Sequence, residues 1–174
     1  MNIGDIAWPI QPNWHLGVTG TRYREEDDAV YPAQVSVDLL ALLIGDAAKH
    51  GASVLHHGAC TGWDEAAVRA ALEVAPGIVI NAHPPAKDTH LSRFALEHSH
   101  VQHQPKSYWE RNIDIAAWSD VMAVGAQFPE FDERSLRSGS WMAARLGRRL
   151  GATLYRISMQ GELSDVTRAV VAGT

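Results

Sequence analysis

Cysteine is almost missing: of 174 residues, Cys60 is the single one. A lone cysteine forms no intramolecular disulfide and builds no thiolate metal cluster within one chain, so a reducing, cytoplasmic setting is expected. Long apolar runs are missing too, since nowhere do about eighteen uninterrupted apolar residues occur. Residues Met1 to Ile10 lack a basic segment followed by an apolar one, so neither export nor a membrane partner is expected. There is no excess of positive charge either. With a formal net charge of -5, nothing favours holding polymeric DNA or RNA through counterion release, and a nucleic-acid polymer is a poor candidate partner.

What is present is a globular composition, 46% hydrophobic and 20% charged, long enough for one full core and too short for two. Trp8-Pro9 and Gln11-Pro12 favour an extended N-terminal arm over residues 1–13, leaving 14–174 as a single domain. Trp14 to Thr19 reads as a first strand, and Tyr23 to Val30 as an acidic loop. Val35, Leu39, Leu42 and Leu43 recur at helical spacing before Gly51, and Ala52 to His56 is a second strand. Ala66, Ala67, Ala70 and Ala71 mark a helix closed by Pro76-Gly77. Gly77 to Asn81 is a third strand, apolar as expected when helices cover both faces of a parallel sheet. Ser107 opens a helix through Ala117, Asp120 to Val124 is a fourth strand, and Gly125 to Arg137 is a loop. A helix runs from Ser138 to Leu150, Ala152 to Ile157 is a fifth strand, and Leu163 to Val171 is a short terminal helix. The alternation specifies an α/β fold, a three-layer Rossmann-like sandwich on a mostly parallel five-stranded sheet of order 3-2-1-4-5.

In such sheets ligands bind beyond the carboxyl ends of the strands, where the strand order reverses. The polar turns after the strands all fall on that edge. Gly20, Thr21 and Arg22 follow the first strand. Gly58 and Ala59 follow the second, in the run Leu55-His-His-Gly-Ala-Cys-Thr-Gly-Trp-Asp-Glu65. There Gly58 and Gly62 can take positive φ, and Thr61 or Asp64 can cap the new helix. His83 follows the third strand, and Ser138, Gly139 and Ser140 open a helix after the fourth. Two amides, a hydroxyl and a helix dipole bind an anion without a basic side chain.

In order and placement these motifs resemble the SLOG superfamily, the Rossmann-like group that includes the Smf/DprA recombination mediators and the LOG phosphoribohydrolases. The likeness runs through Gly17-Val-Thr-Gly-Thr-Arg22, His57-Gly-Ala-Cys-Thr-Gly-Trp-Asp64, Ala82-His-Pro-Pro85, Arg111-Asn112 followed by Asp120, and Ser138-Gly-Ser-Trp141. It is similar above all to small bacterial and phage members with a His-Gly-Gly-Ala-Arg-Gly-Ala-Asp turn. The resemblance implies a small nucleotide or nucleotide-derived ligand with its phosphate near Gly139 and Ser140, and puts Arg111 and Asn112 in the pocket. No cofactor is expected beyond such a ligand, which would co-purify. The LOG motif Pro-Gly-Gly-x-Gly-Thr-x-x-Glu, laid on Gly139-Ser140, puts its glutamate at Ala143, which transfers no proton.

Alternatives stay open at several residues. Asp64 is a helix cap before it is a ribose or metal ligand. Arg111 either balances a phosphate or pairs with Glu110 or Asp114 on a helix surface. His83, His90, His98, His100 and His103 invite a metal, but a solvated histidine-rich loop is the plainer reading, and no metal site is expected. Cys60 with His56 or His57 as base is a minor nucleophile hypothesis. Trp63 and Trp141 either stack on a base or fill the core. For the whole chain the expectations are a sensor, carrier or processing factor for a small nucleotide, a hydrolase of an N-glycosidic or phosphoester bond, or a scaffold with a vestigial pocket. Alanine-rich helices and the Trp-bearing arm point to a homodimer or higher homo-oligomer.

Overall fold

The computed structural model describes residues 1–21, 33–87, 89–126, 128, 130, 133 and 138–167. Arg22, the acidic loop after it, most of the loop before Ser138 and the chain beyond residue 167 lie outside the described residues. The elements in order are β1 (Trp14–Gly20), α1 (Gln34–Lys49), β2 (Ala52–His57), α2 (Trp63–Val74), β3 (Val79–Ala82), α3 (Arg93–Glu97), β4 (Val101–Gln102), α4 (Tyr108–Ala117), β5 (Val121–Gly125), α5 (Gly139–Arg149), β6 (Thr153–Ile157) and β7 (Leu163–Asp165).

These strands form one seven-stranded sheet of order β4-β3-β2-β1-β5-β6-β7. All neighbours pair parallel except β6 with β7. The five expected strands hold the expected order, and each edge carries one strand more. β4, two residues long, comes from the segment read as a histidine-rich loop. β7 replaces the start of the helix expected from Leu163. The Arg156↔Ser164 and Ile157↔Leu163 pairings fix it, and a strand partner contributed from elsewhere overrides local propensity.

Strand alternation separates two cores. From β5, Val121 and Ala123 join Leu16, Val18, Leu55 and Ile80 against α1 and α2. Met122 and Val124 point the other way, with Leu154, onto Ile115 and Ala116 of α4 and Ala143 and Ala144 of α5. The arm folds back on its own domain: Trp8 stacks on Trp14 with centroids 5.3 Å apart, and its Nε1 donates to Asp46 at 2.7 Å. No helix among the described residues is long and apolar enough to cross a membrane.

Candidate functional site

Strand order reverses at β1, whose neighbours are β2 and β5, so the ligand crevice of such a sheet opens at the carboxyl ends of β1 and β5. Thr21 N donates to Gly125 O at 2.8 Å and ties these ends together. On the α2 side the Trp63 ring, 1% exposed, lies where a Cβ on either Gly20 or Gly125 would stand. Gly20 is therefore a glycine to admit Trp63, and Trp63 fills the core rather than stacking on a base. Trp141 is likewise buried, with Nε1 donating to Phe128 O at 3.0 Å.

The turn from β2 to α2 is wound more tightly than its glycines suggest. Gly62 takes φ 92° and ψ -123° and serves as the α2 N-cap. The second positive φ falls on Ala59, at 54°, and not on Gly58. Gly58 matters for contact: Arg111 occupies the place of its missing Cβ and donates to its carbonyl. Asp64 does not cap α2. Its carboxylate reaches back to accept from Cys60 N at 3.0 Å and lies 3.8 Å from Arg111 Nη1. Ala59 is fully buried, and its amide donates to His57 Nδ1 at 3.0 Å.

Opposite, α4 begins with a capping box between Ser107 and Glu110, which places Arg111 and Asn112 in its first turns. Asn112 Nδ2 donates to Gly139 O at 3.2 Å, joining α4 to the start of α5. Ser138 caps α5, its Oγ accepting from Trp141 N at 3.4 Å. Helical geometry leaves the Gly139 and Ser140 amides without intrahelical acceptors. Gly139 is exposed and Ser140 buried, and among the described residues a Cβ on Gly139 would meet only Asn112 Nδ2, at 3.5 Å. Arg111 Nε and Asn112 Oδ1 are buried and have no hydrogen-bond partner among the described residues. The structure thus gathers Arg111, Asn112, Gly139 and Ser138 on the α4 and α5 side of the edge, while Gly58 and Asp64 are turned inward onto Arg111 and Ala59 is buried against His57.

His83 is 2% exposed and belongs to a cluster missed in the sequence. His56 Nδ1 lies 3.0 Å from His83 Nε2, and His56 Nε2 lies 3.1 Å from His15 Nδ1. His103 stacks on His83 at 4.3 Å, and Trp118 meets the rings of His56, His83 and His103. Burial above all, with neighbouring positive groups, pulls His56, His57 and His83 down to about 3, so they are neutral at ordinary pH. The available signal was strand alternation, which puts His15 and His56 on one face once β1 and β2 are in register. His57 faces the other way, its Nε2 2.9 Å from Ser99 Oγ. With both ring nitrogens of His56 and His57 committed, neither serves Cys60 as a base. His98 and His100 turn to backbone: His98 Nδ1 lies 2.9 Å from Phe94 O, and His100 Nδ1 accepts from Ile80 N at 3.0 Å.

Fold and edge geometry together define a Rossmann-like α/β domain. Two solved structures are similar to it. The molybdenum cofactor binding protein from the phototrophic bacterium Rippkaea orientalis has a TM-score of 0.59 at 15% identity, over 84% of this chain and 77% of that one. TM1055, an X-ray structure from the Northeast Structural Genomics Consortium, has a TM-score of 0.58 at 15% identity, over 81% and 72%. No family model and no curated protein matches the sequence.

Proposed function

We propose that this chain binds a small nucleotide or nucleotide-derived ligand, its phosphate at the start of α5 and its body along the carboxyl edge toward β3. The supporting observation is the pair of buried atoms without a hydrogen-bond partner among the described residues, Arg111 Nε and Asn112 Oδ1, beside a helix start where, among those residues, Gly139 leaves room for a ligand. Unpaired buried polar groups are costly, and a bound phosphate and hydroxyl would satisfy both a donor and an acceptor. The motif order of the SLOG superfamily agrees with this reading. Thr21 completes the proposed site from the β1 side; Arg22, expected beside it, lies outside the described residues.

The role is that of a sensor, carrier or processing factor, without the glycosidic chemistry of the LOG enzymes. Ala143, which stands where their glutamate would, is fully buried among the side chains of α4 and α5. The likeness to a molybdenum cofactor binding protein supports the binding of a small ligand. Exposed Trp109 and Trp118 support a homo-oligomer, and the single cysteine supports a cytoplasmic location. Native mass spectrometry of freshly purified protein tests the proposal: a bound mass of a nucleotide or nucleotide-bearing cofactor is expected, and an assembly larger than the monomer. A ligand-free chain that takes up no adenosine 5′-monophosphate (AMP), guanosine 5′-monophosphate or molybdenum cofactor would reject it.

A further inference from the structure

Three histidines brought together from β1, β2 and the end of β3 are hydrogen-bonded in series, and the series has a direction. At one end, His15 Nδ1 lies 3.1 Å from the carbonyl oxygen of Trp118. A carbonyl only accepts, so His15 must carry its proton on Nδ1, whatever its charge. The same Nδ1 lies 3.1 Å from His56 Nε2, which must then be the bare, accepting nitrogen. Burial keeps His56 neutral, so its proton sits on Nδ1 and is donated to His83 Nε2 at 3.0 Å. His83 is neutral for the same reason, and its remaining proton is on Nδ1. That atom is buried and has no partner among the described residues. The reverse assignment would set a bare His15 nitrogen against the Trp118 oxygen, lone pair to lone pair. His103, stacked on His83 with an interplanar angle of 8°, holds the final ring in its plane.

We infer that the Trp118 carbonyl, acting through His15 and His56, locks His83 as an Nδ1–H donor, and that this donor reads an uncharged acceptor on the ligand's heterocycle, a carbonyl oxygen or a ring nitrogen. The inference rests on the nucleotide reading of the site. β3 lies three strand positions from β5, about 14 Å at the usual strand spacing, so His83 stands toward the base of a nucleotide whose phosphate is at α5. A neutral donor in a buried setting suits a neutral acceptor. A site built around a buried donor discriminates against ligands that leave it unpaired.

Two measurements on the whole chain decide the matter. Long-range 1H–15N correlation spectra of the free protein should show the Nδ1–H tautomer at His15, His56 and His83; an Nε2–H tautomer at His83 overturns the relay. In His56→Leu, the His83 tautomer should lose its bias, a spectroscopic change that loss of packing alone would not produce. Calorimetry then compares AMP with ribose 5-phosphate, which lacks the base. His83→Phe should weaken AMP binding about tenfold and leave ribose 5-phosphate unchanged, while His83→Asn, whose amide nitrogen takes the place of Nδ1, should restore AMP binding. Equal AMP affinity in wild type and His83→Phe overturns the recognition step. Failure of the wild-type chain to bind AMP, ribose 5-phosphate, guanosine 5′-monophosphate or molybdenum cofactor rejects the nucleotide reading instead, and the tautomer spectrum still decides the donor assignment.

Discussion

Arg111 Nη1 and Asp64 Oδ2 lie 3.8 Å apart with both side chains more than nine-tenths buried, so one guanidinium serves both the fold and the proposed site. Arg111 also donates to Gly58 O, which pins the β2–α2 turn to α4. Arg111→Ala would take the buried cation away from the Asp64 carboxylate, leaving it without a counter-charge from Arg111, a change that costs about 3–5 kcal/mol for a buried pair. Urea denaturation should show that loss, and the double variant with Asp64→Asn should recover part of it. A midpoint equal to wild type would mean that the arginine does not hold this turn.

Gly139 and Gly20 should respond in opposite ways to an added side chain. Because a Cβ at Gly139 has room beside Asn112, Gly139→Val should melt within a few degrees of wild type and lose its nucleotide. Gly20→Ala drives a methyl into the Trp63 ring, and overpacking of this kind costs about 1–3 kcal/mol or more. Thermal melts with and without AMP separate the two effects. A strongly destabilised Gly139→Val, or a Gly20→Ala of native stability, would contradict this division of roles.

Acid should unfold the protein earlier than its carboxylates alone would require. His56, His57 and His83 are held near 3 in the fold, against about 6.5 in an unfolded chain. The unfolded state therefore binds more protons below about 6.5, and stability must fall as pH falls from there toward 3. The slope is about 1.4 kcal/mol per pH unit for each histidine while all remain neutral in the folded state. Denaturant midpoints measured between pH 7 and 4 should drop steeply, and His57→Gln should flatten the curve. A pH-independent midpoint over that range would rule the argument out.

Incubation with nucleoside monophosphates should release little free base, because cleavage needs a group that protonates or stabilises the departing base, and the position on which the resemblance lays the LOG glutamate is a buried alanine, Ala143. Chromatography of the incubation mixture checks this. Rapid release of adenine or guanine would show that another residue supplies the proton, and His83 with its relay would be the first to examine.

Most of the scaffold was legible because its determinants are local. Apolar runs such as Val121–Gly125, buried at every position, announce a strand covered on both faces. Ser107 and Ser138 announce helix starts, and both cap as expected. Their alternation alone specifies the order that five of the strands take in the sheet. Tertiary structure decided what lies between distant segments. Arg111 meets the carbonyl of Gly58, 53 residues away, and the histidine series spans separations of 41 and 27 residues. Leu163–Asp165 became a strand because β6 offered it an edge, and Trp63 went into the core because two glycines on neighbouring strands left it space. Periodicity and capping record only what a residue does within a few positions of itself. Which side chains share a buried volume is set by strand register and helix docking.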